Sequence, residues 1–411
     1  MGKTISSVPL HQIGEYLLGS VNFHKYYLLG NSFVLVDETQ GEQLDETQKS
    51  LFAAIALNEY CGIGADNLIF IQPYTKQVMR EINAYRHYWA VGLEGEFESD
   101  ADYIFRMFEP DGQEAFCCGN GLLSSCHHLH GRYGILEARV MSQIPTASPA
   151  SYFAQVLAPG RSCRINMGRP SALPDSFMSG KLNTCPWNLS RVMRNLSVPL
   201  EERTLEGYSQ SYLATVDGYL IYSGEPHLVI FHGDGLCSPD DIFPDESHHA
   251  QSKAPASAIV LDKDTIAKLI LDSTNGPQYH LLQRHSLLHK LGMRLNSPDD
   301  SYFPYGVNVS FARIIDADLG IVEYRCFERG IKKETHACGT GAVAVAAVAH
   351  QLGFSKSTSF AMWPQSSRRH EPQAWQKVSR DLSGDWWLEG EPRLLFSGVV
   401  EFPKPLQHCA D

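Results

Sequence analysis

Apolar positions along the chain fall into short bounded runs more often than into long helical stripes. Phe33 to Asp37 and Leu68 to Ile71 are brief apolar segments of strand length, and they flank a stretch from Thr47 to Tyr60 whose spacing predicts a helix. From Pro73 to Asp102 the pattern dissolves into Gly92, Gly95 and a cluster of acidic residues, which predicts an insertion or lid outside the core. A Pro, Ala and Ser-rich break follows at Ile144 to Ser151, and a polar break at Gln365 to Ser383. The chain therefore reads as alternating strand and helix in two halves. We expect a leader over residues 1–20 and a first domain over 21–150 that carries the insertion 73–102 and is completed by 395–411. The second domain is expected over 151–394.

Laying the chain against itself reveals a duplication. Phe105-Arg106-Met107-Phe108-Glu109 is echoed by Tyr324-Arg325-Cys326-Phe327-Glu328. Each copy passes through a glycine turn (Gly112, Gly330) and reaches a Glu four residues before a Cys (Glu114 to Cys118, Glu334 to Cys338). Each then enters Cys-Gly-x-Gly and a run of small or apolar residues, Leu122 to His130 and Ala342 to Gln351, that predicts a helix. A duplicated domain can set two thiols on opposite sides of one cleft.

Composition narrows the function. Lys and Arg total 34 against 46 Asp and Glu, a formal charge of −12, which argues against nucleic acid or an anionic membrane as partner. The longest small-apolar run, Gly341 to Ala349, is too short to span a bilayer, so no membrane is expected. Ten cysteines are too sparse for a disulfide scaffold and lack metal-ligand spacing, so we expect a reducing, cytoplasmic setting and no metal. The remaining partner class is a small molecule, and homodimerisation is compatible with the sequence.

A thiol just before a glycine-flanked helix start meets unpaired backbone N–H groups and the positive end of the helix dipole, which stabilise a thiolate. The same N–H groups can receive a carboxylate, with glycines beside Asn120 and Thr340 allowing close approach. Two such sites could hold one carboxylate while a thiolate and a thiol flank the adjacent carbon. That is the requirement for inverting an α-carbon: one group removes the proton and the other delivers one to the opposite face. No cofactor motif is visible, so the carbanion would rest on desolvation and backbone donors. Cys61, Cys126, Cys163, Cys185, Cys237, Cys326 and Cys409 read as ordinary buried thiols, and Cys117 as structural.

At these residues the chain resembles the diaminopimelate epimerase family. Leu29 to Phe33 looks like the family's opening strand, Cys61 to Asn67 like its CGIGxDQ loop, and Arg164 to Gly168 like the strand opening its second half. Gly224-Glu225-Pro226-His227, Gly306-Val307-Asn308, Phe327 to Gly330 and Ala337 to Gly341 are similar to four further motifs in the family's order. The resemblance implies an α/β (α+β) fold of two similar domains. Each would be a curved, mostly antiparallel sheet wrapped around a central helix, with the active site in the interdomain cleft. It implies an isomerase without cofactor in which Cys118 and Cys338 are the acid–base pair and His227 and Glu328 orient or tune them. Gly119, Asn120, Gly339 and Thr340 would hold the α-carboxylate, and Asn31, Asn67, Asn308 and Arg329 would line the remainder.

Asn67 replaces a usual Gln, and Glu109 and Glu225 stand where the family has Asn. If these carboxylates face the substrate's distal end they favour a cation there, so a free amino acid with a cationic side chain (lysine, ornithine, arginine or histidine) is the leading expectation. The opposing reading has either Glu turned outward or paired with Arg106, Arg325 or Arg329. The alternatives are diaminopimelate epimerase itself, in lysine biosynthesis, and a non-catalytic amino-acid-binding protein on the same fold. A phenazine-pathway-type isomerase would lack the thiol pair.

Overall fold

A computed structural model describes residues 19–85, 99–144, 147–158, 161–180, 182, 184–203, 209–232, 259–261, 266, 270–271, 287–297 and 302–402. Nearly all of the expected leader, the middle of the insertion, and the thiols Cys237 and Cys409 lie outside the described residues. The chain divides into two compact units, Met1–Asn166 with Glu389–Asp411, and Met167–Leu388. The divisions fall at 166/167 and 388/389, where the sequence reading puts them at 150/151 and 394/395.

The first unit contains β1 (Gly19–Leu28), β2 (Asn31–Asp37), α1 (Glu46–Ala56), β3 (Asn67–Pro73), α2 (Lys76–Tyr85), β4 (Tyr103–Phe108), α3 (Gly119–Tyr133), β5 (Glu137–Ile144), β6 (Ala147–Ala158) and most of β7 (Ser162–Gly168). Strands β5, β6 and β7 pair antiparallel in succession, with Ile144 opposite Ala147, so the sheet runs on past the Pro, Ala and Ser-rich break. The insertion also begins with structure. Helix α2 buries Met79 and Ile82 against Ala101, Ile104 and Met141, so the aperiodic reading of 73–102 missed a helix. Helix α1 opens with a capping box in which Asp45 and Gln48 each bond the other's backbone N–H.

The second unit runs through β8 (Ser171–Ala172), β9 (Thr184–Trp187), β10 (Ser190–Arg203), β11 (Ser209–Tyr222), β12 (Pro226–His232), β13 (Ile259–Leu261), α4 (Leu287–Leu295), β14 (Asn308–Asp316) and β15 (Ile321–Glu328). It continues with β16 (Lys333–Thr335), α5 (Gly339–Gln351), β17 (Ser359–Pro364), α6 (Gln365–Arg368), β18 (Gln376–Arg380) and the first part of β19 (Trp386–Gly390). The polar stretch Gln365 to Ser383 thus holds α6 and β18 and lies inside the unit, not at a boundary. The last strand, β20 (Arg393–Phe402), pairs antiparallel with β1 and belongs to the first unit.

Each unit is a mixed, mainly antiparallel sheet with one buried helix. Helix α3 packs on β1, β2, β5 and β6, and α5 on β11, β12, β14, β15, β17 and β18. Helix α5 is buried from Gly339 through Ala349, which its Ala and Val composition allows, since a helix apolar all round has no face to give to water. Helix α3 buries hydroxyls instead: Ser124 and Ser125 donate back to the carbonyls of Asn120 and Gly121 at 2.9 Å.

The duplication survives in the pairing. In the first unit β2 and β3 run parallel and β3 and β4 antiparallel, with Phe33 opposite Asn67 and Leu68 opposite Phe108. In the second unit β12 and β14 run parallel and β14 and β15 antiparallel, with His227 opposite Asn308 and Val309 opposite Phe327. This register makes Asn67 the counterpart of Asn308, and Glu109 that of Glu328.

Candidate active site

Both candidate thiols occupy the residue that caps their helix. Cys118 has extended backbone and its sulfur accepts from Gly121 N at 3.3 Å, while Cys338 repeats the arrangement with Gly341 N at 3.4 Å. A sulfur in the place usually taken by Ser or Asp satisfies one free N–H of the first helical turn, and that hydrogen bond favours the thiolate. Cys118 is partly exposed and Cys338 buried. The second glycine of each motif leaves little room for a side chain. A Cβ on Gly121 would stand 3.0 Å from the Phe105 ring, and one on Gly341 would stand 3.2 Å from Cys338 Sγ and 3.3 Å from the His227 ring.

In the first unit the remaining candidates gather at one end of adjacent strands. Asn31 opens β2, Asn67 opens β3 and Glu109 follows β4; all three are buried. Asn67 Nδ2 donates to Glu109 Oε2 at 3.0 Å, so the shorter amide and the acidic replacement are partners. Gly119 and Asn120 form the first turn of α3, and Asn120 is fully buried.

In the second unit a connected set surrounds Cys338. His227 Nε2 lies 3.0 Å from Thr340 Oγ1, which lies 3.4 Å from Cys338 Sγ, and Asn308 Nδ2 lies 3.4 Å from the same imidazole nitrogen. Asn308 Oδ1 accepts from Arg329 N at 2.9 Å. Thr335 Oγ1 donates to Glu328 Oε1 at 2.5 Å, and Tyr324 donates to the Cys338 carbonyl at 3.1 Å. Burial, assisted by the Arg329 cation, pushes His227 down to about 3, so the ring is neutral at physiological pH. With Thr340 and Asn308 both able to donate to Nε2, the proton belongs on Nδ1, a buried nitrogen without a hydrogen-bond partner among the described residues.

No family model matches the chain. A diaminopimelate epimerase from Methanothrix thermoacetophila is 26% identical over 341 residues, which is 83% of this chain and 85% of that protein. One from Prochlorococcus marinus is 23% identical over 384 residues, 92% of this chain and 99% of that protein. The chain is a distant member of the diaminopimelate epimerase-like family. It is a family of cofactor-independent epimerases and racemases. Among solved structures, a hydroxyproline epimerase from Agrobacterium vitis with trans-4-hydroxy-L-proline bound is similar at a TM-score of 0.48 and 14% identity, covering 94% of each chain.

Within this member of the family the two acidic departures meet different fates. Glu225 is buried and forms an ion pair with Arg329, Nε to Oε2 at 2.8 Å, while Arg329 Nη1 also donates to the Tyr305 carbonyl at 2.8 Å. Arg106 and Arg325, the other partners considered, are engaged with Glu114 and Glu334. Two of the thiols read as ordinary also stand apart. Cys61 is exposed, which corrects its reading as buried, because it sits in the turn after α1 and not in a strand or helix. Cys326 is buried in contact with Cys338, and their hydrogen bond, together with burial, pushes the Cys338 thiol well up. Among the described residues no cluster of His, Cys, Asp or Glu could hold a metal ion, and no described helix is long and apolar enough to cross a membrane.

Proposed function

We propose that this protein is an amino-acid racemase or epimerase that inverts an α-carbon by exchanging its proton between Cys118 and Cys338. The observation that carries the reading is the recurrence, in two units of like topology, of a thiol that caps a buried helix and accepts from its third backbone N–H. In each direction one thiolate removes the α-proton and the other thiol returns one to the opposite face, so the residue acting as base alternates with the direction. The N–H groups of Gly119, Asn120, Gly339 and Thr340 receive the α-carboxylate and the charge that moves onto it as the proton leaves. His227, neutral at working pH, orients Thr340 against Cys338 and offers its Nδ1 proton as a donor. Glu328 serves the substrate ammonium.

For the substrate, the reading is a free amino acid whose side chain carries a cation and no second carboxylate. Glu225 already occupies Arg329, so a distal carboxylate reaching for that guanidinium would meet a buried anion at the same place, and Glu109 adds a second carboxylate. Diaminopimelate is the alternative, supported by the names of the curated relatives. Proton NMR in D₂O with the reduced protein and lysine, ornithine, arginine, histidine or diaminopimelate distinguishes the two readings by which α-proton signal disappears. Inversion of configuration by Cys118→Ala or Cys338→Ala at a rate near that of the native protein, followed by chiral chromatography, overturns the two-thiol mechanism. Efficient exchange with diaminopimelate alone overturns the cationic substrate.

A further inference from the structure

The duplicated segments carry a second matched feature, a buried bidentate ion pair. In the first unit Arg106 on β4 donates from Nε to Glu114 Oε1 at 2.9 Å and from Nη2 to Oε2 at 3.2 Å. In the second, Arg325 on β15 donates from Nε to Glu334 Oε1 at 2.7 Å and from Nη2 to Oε2 at 2.5 Å. Both guanidinium groups are almost wholly buried, and both glutamates lie four residues before the capping cysteine. The surroundings of the two pairs differ. Arg106 Nη1 is also held by both oxygens of Glu46 at 2.7 Å, within a cluster around the buried Lys49, whereas Arg325 Nη1 donates to the Ile270 carbonyl.

A buried ion pair is weak evidence for stability, because removing two charges from water offsets most of their attraction and an apolar pair of like volume does as well. What a side-on Arg–carboxylate pair supplies is geometry, since two parallel hydrogen bonds fix distance and orientation together. Here each pair ties the strand to the return leg of its turn at a fixed register, with Phe108 opposite Glu114 and Phe327 opposite Glu334. Only a short tether then separates the fixed glutamate from the thiol. We propose that Arg106–Glu114 and Arg325–Glu334 are positioning pairs, each holding the cysteine of its own unit at the N-terminus of its helix. The proposal rests on the two-thiol reading for its catalytic meaning, and its test reads the thiols directly.

The experiment uses full-length reduced protein and isosteric, neutral Glu114→Gln and Glu334→Gln variants, with brief methyl methanethiosulfonate labelling from about pH 6 to 10 and peptide mapping of Cys118 and Cys338. The sign separates positioning from simple electrostatics. Deleting a nearby negative charge would by itself make a thiol more acidic and faster to label, whereas a thiol that slips from its helix N–H loses thiolate and labels more slowly. Glu114→Gln is expected to slow Cys118 at least about threefold below its midpoint while Cys338 is unchanged, and Glu334→Gln to do the reverse. Arg106→Lys and Arg325→Lys, which keep the charge but not the fork, are expected to slow the same thiols to a smaller extent. Both thiols changing together, neither changing, or faster labelling in the glutamine variants overturns the proposal. An absence of α-proton exchange with every amino acid would refute the enzymatic reading and leave these labelling profiles as they are.

Discussion

His227 allows a magnitude to be worked out from its surroundings. The imidazole is fully buried, and burial with the nearby Arg329 cation lowers it from 6.5 to about 3. Between those two values the unfolded chain binds a proton that the folded chain refuses, so stability rises with pH across the window and falls as the solution is acidified through it. Each tenfold difference in proton affinity is worth about 1.4 kcal/mol, so acidification from about pH 7 to 4.5 should cost the native protein on the order of 2–3 kcal/mol through this residue alone. Glutamine at 227 retains an amide near Thr340 and Asn308 and does not titrate. His24, which burial holds at about 4, titrates in both proteins and cancels in the comparison. Urea unfolding of native protein and His227→Gln at the two pH values measures the difference. The variant is expected to start less stable at neutral pH, for want of packing, and to lose about 2–3 kcal/mol less on acidification. Equal losses in the two proteins would refute the reasoning.

Replacing Cys326 by Ala removes the hydrogen bond that raises Cys338, so the labelling profile of Cys338 should move to lower pH while that of Cys118 stays in place. Lys49→Met strips the cation from Glu38, Glu42 and Glu46, all within 3.2 Å of its ammonium, and should cost about 3–5 kcal/mol in urea unfolding; a loss under about 1 kcal/mol would contradict the pairing. Glu225→Asn releases Arg329 and should raise the catalytic efficiency for diaminopimelate relative to lysine, measured by competitive exchange; an unchanged ratio would place the Glu225–Arg329 pair outside the recognition of the side chain.

The helix starts and their thiols were legible because the information is local: Cys-Gly-x-Gly is contiguous, it occurs twice, and its consequences need only one turn of helix. Partner choice was not legible, because it depends on which face of a strand a side chain takes. Arg106 shares a face of β4 with Phe108, which pairs across to Glu114, while Glu109 is one residue further and points the other way. Arg325, Phe327 and Glu328 of β15, with Glu334 of β16, repeat the pattern. A sequence offers Arg106 two glutamates, Glu109 and Glu114, and only the register decides between them. The same alternation contained a usable signal for Cys326. Residues two apart on a strand share a face, so naming Glu328 as a site residue carries Cys326 and Tyr324 with it toward α5. Their contacts agree, since Tyr324 donates to the Cys338 carbonyl and Cys326 hydrogen-bonds the Cys338 thiol. The first unit places Phe105 correspondingly against the start of α3, where its ring would meet a Cβ on Gly121. Counting back by two from Glu328 therefore finds the neighbour of Cys338, and the two units differ at that position: a thiol at 326 where the first unit has the buried thioether of Met107. The Cys326 sulfur, whose own S–H donates to the Phe327 carbonyl at 3.7 Å, accepts from the Cys338 thiol, and a bond in that direction favours the neutral form of Cys338.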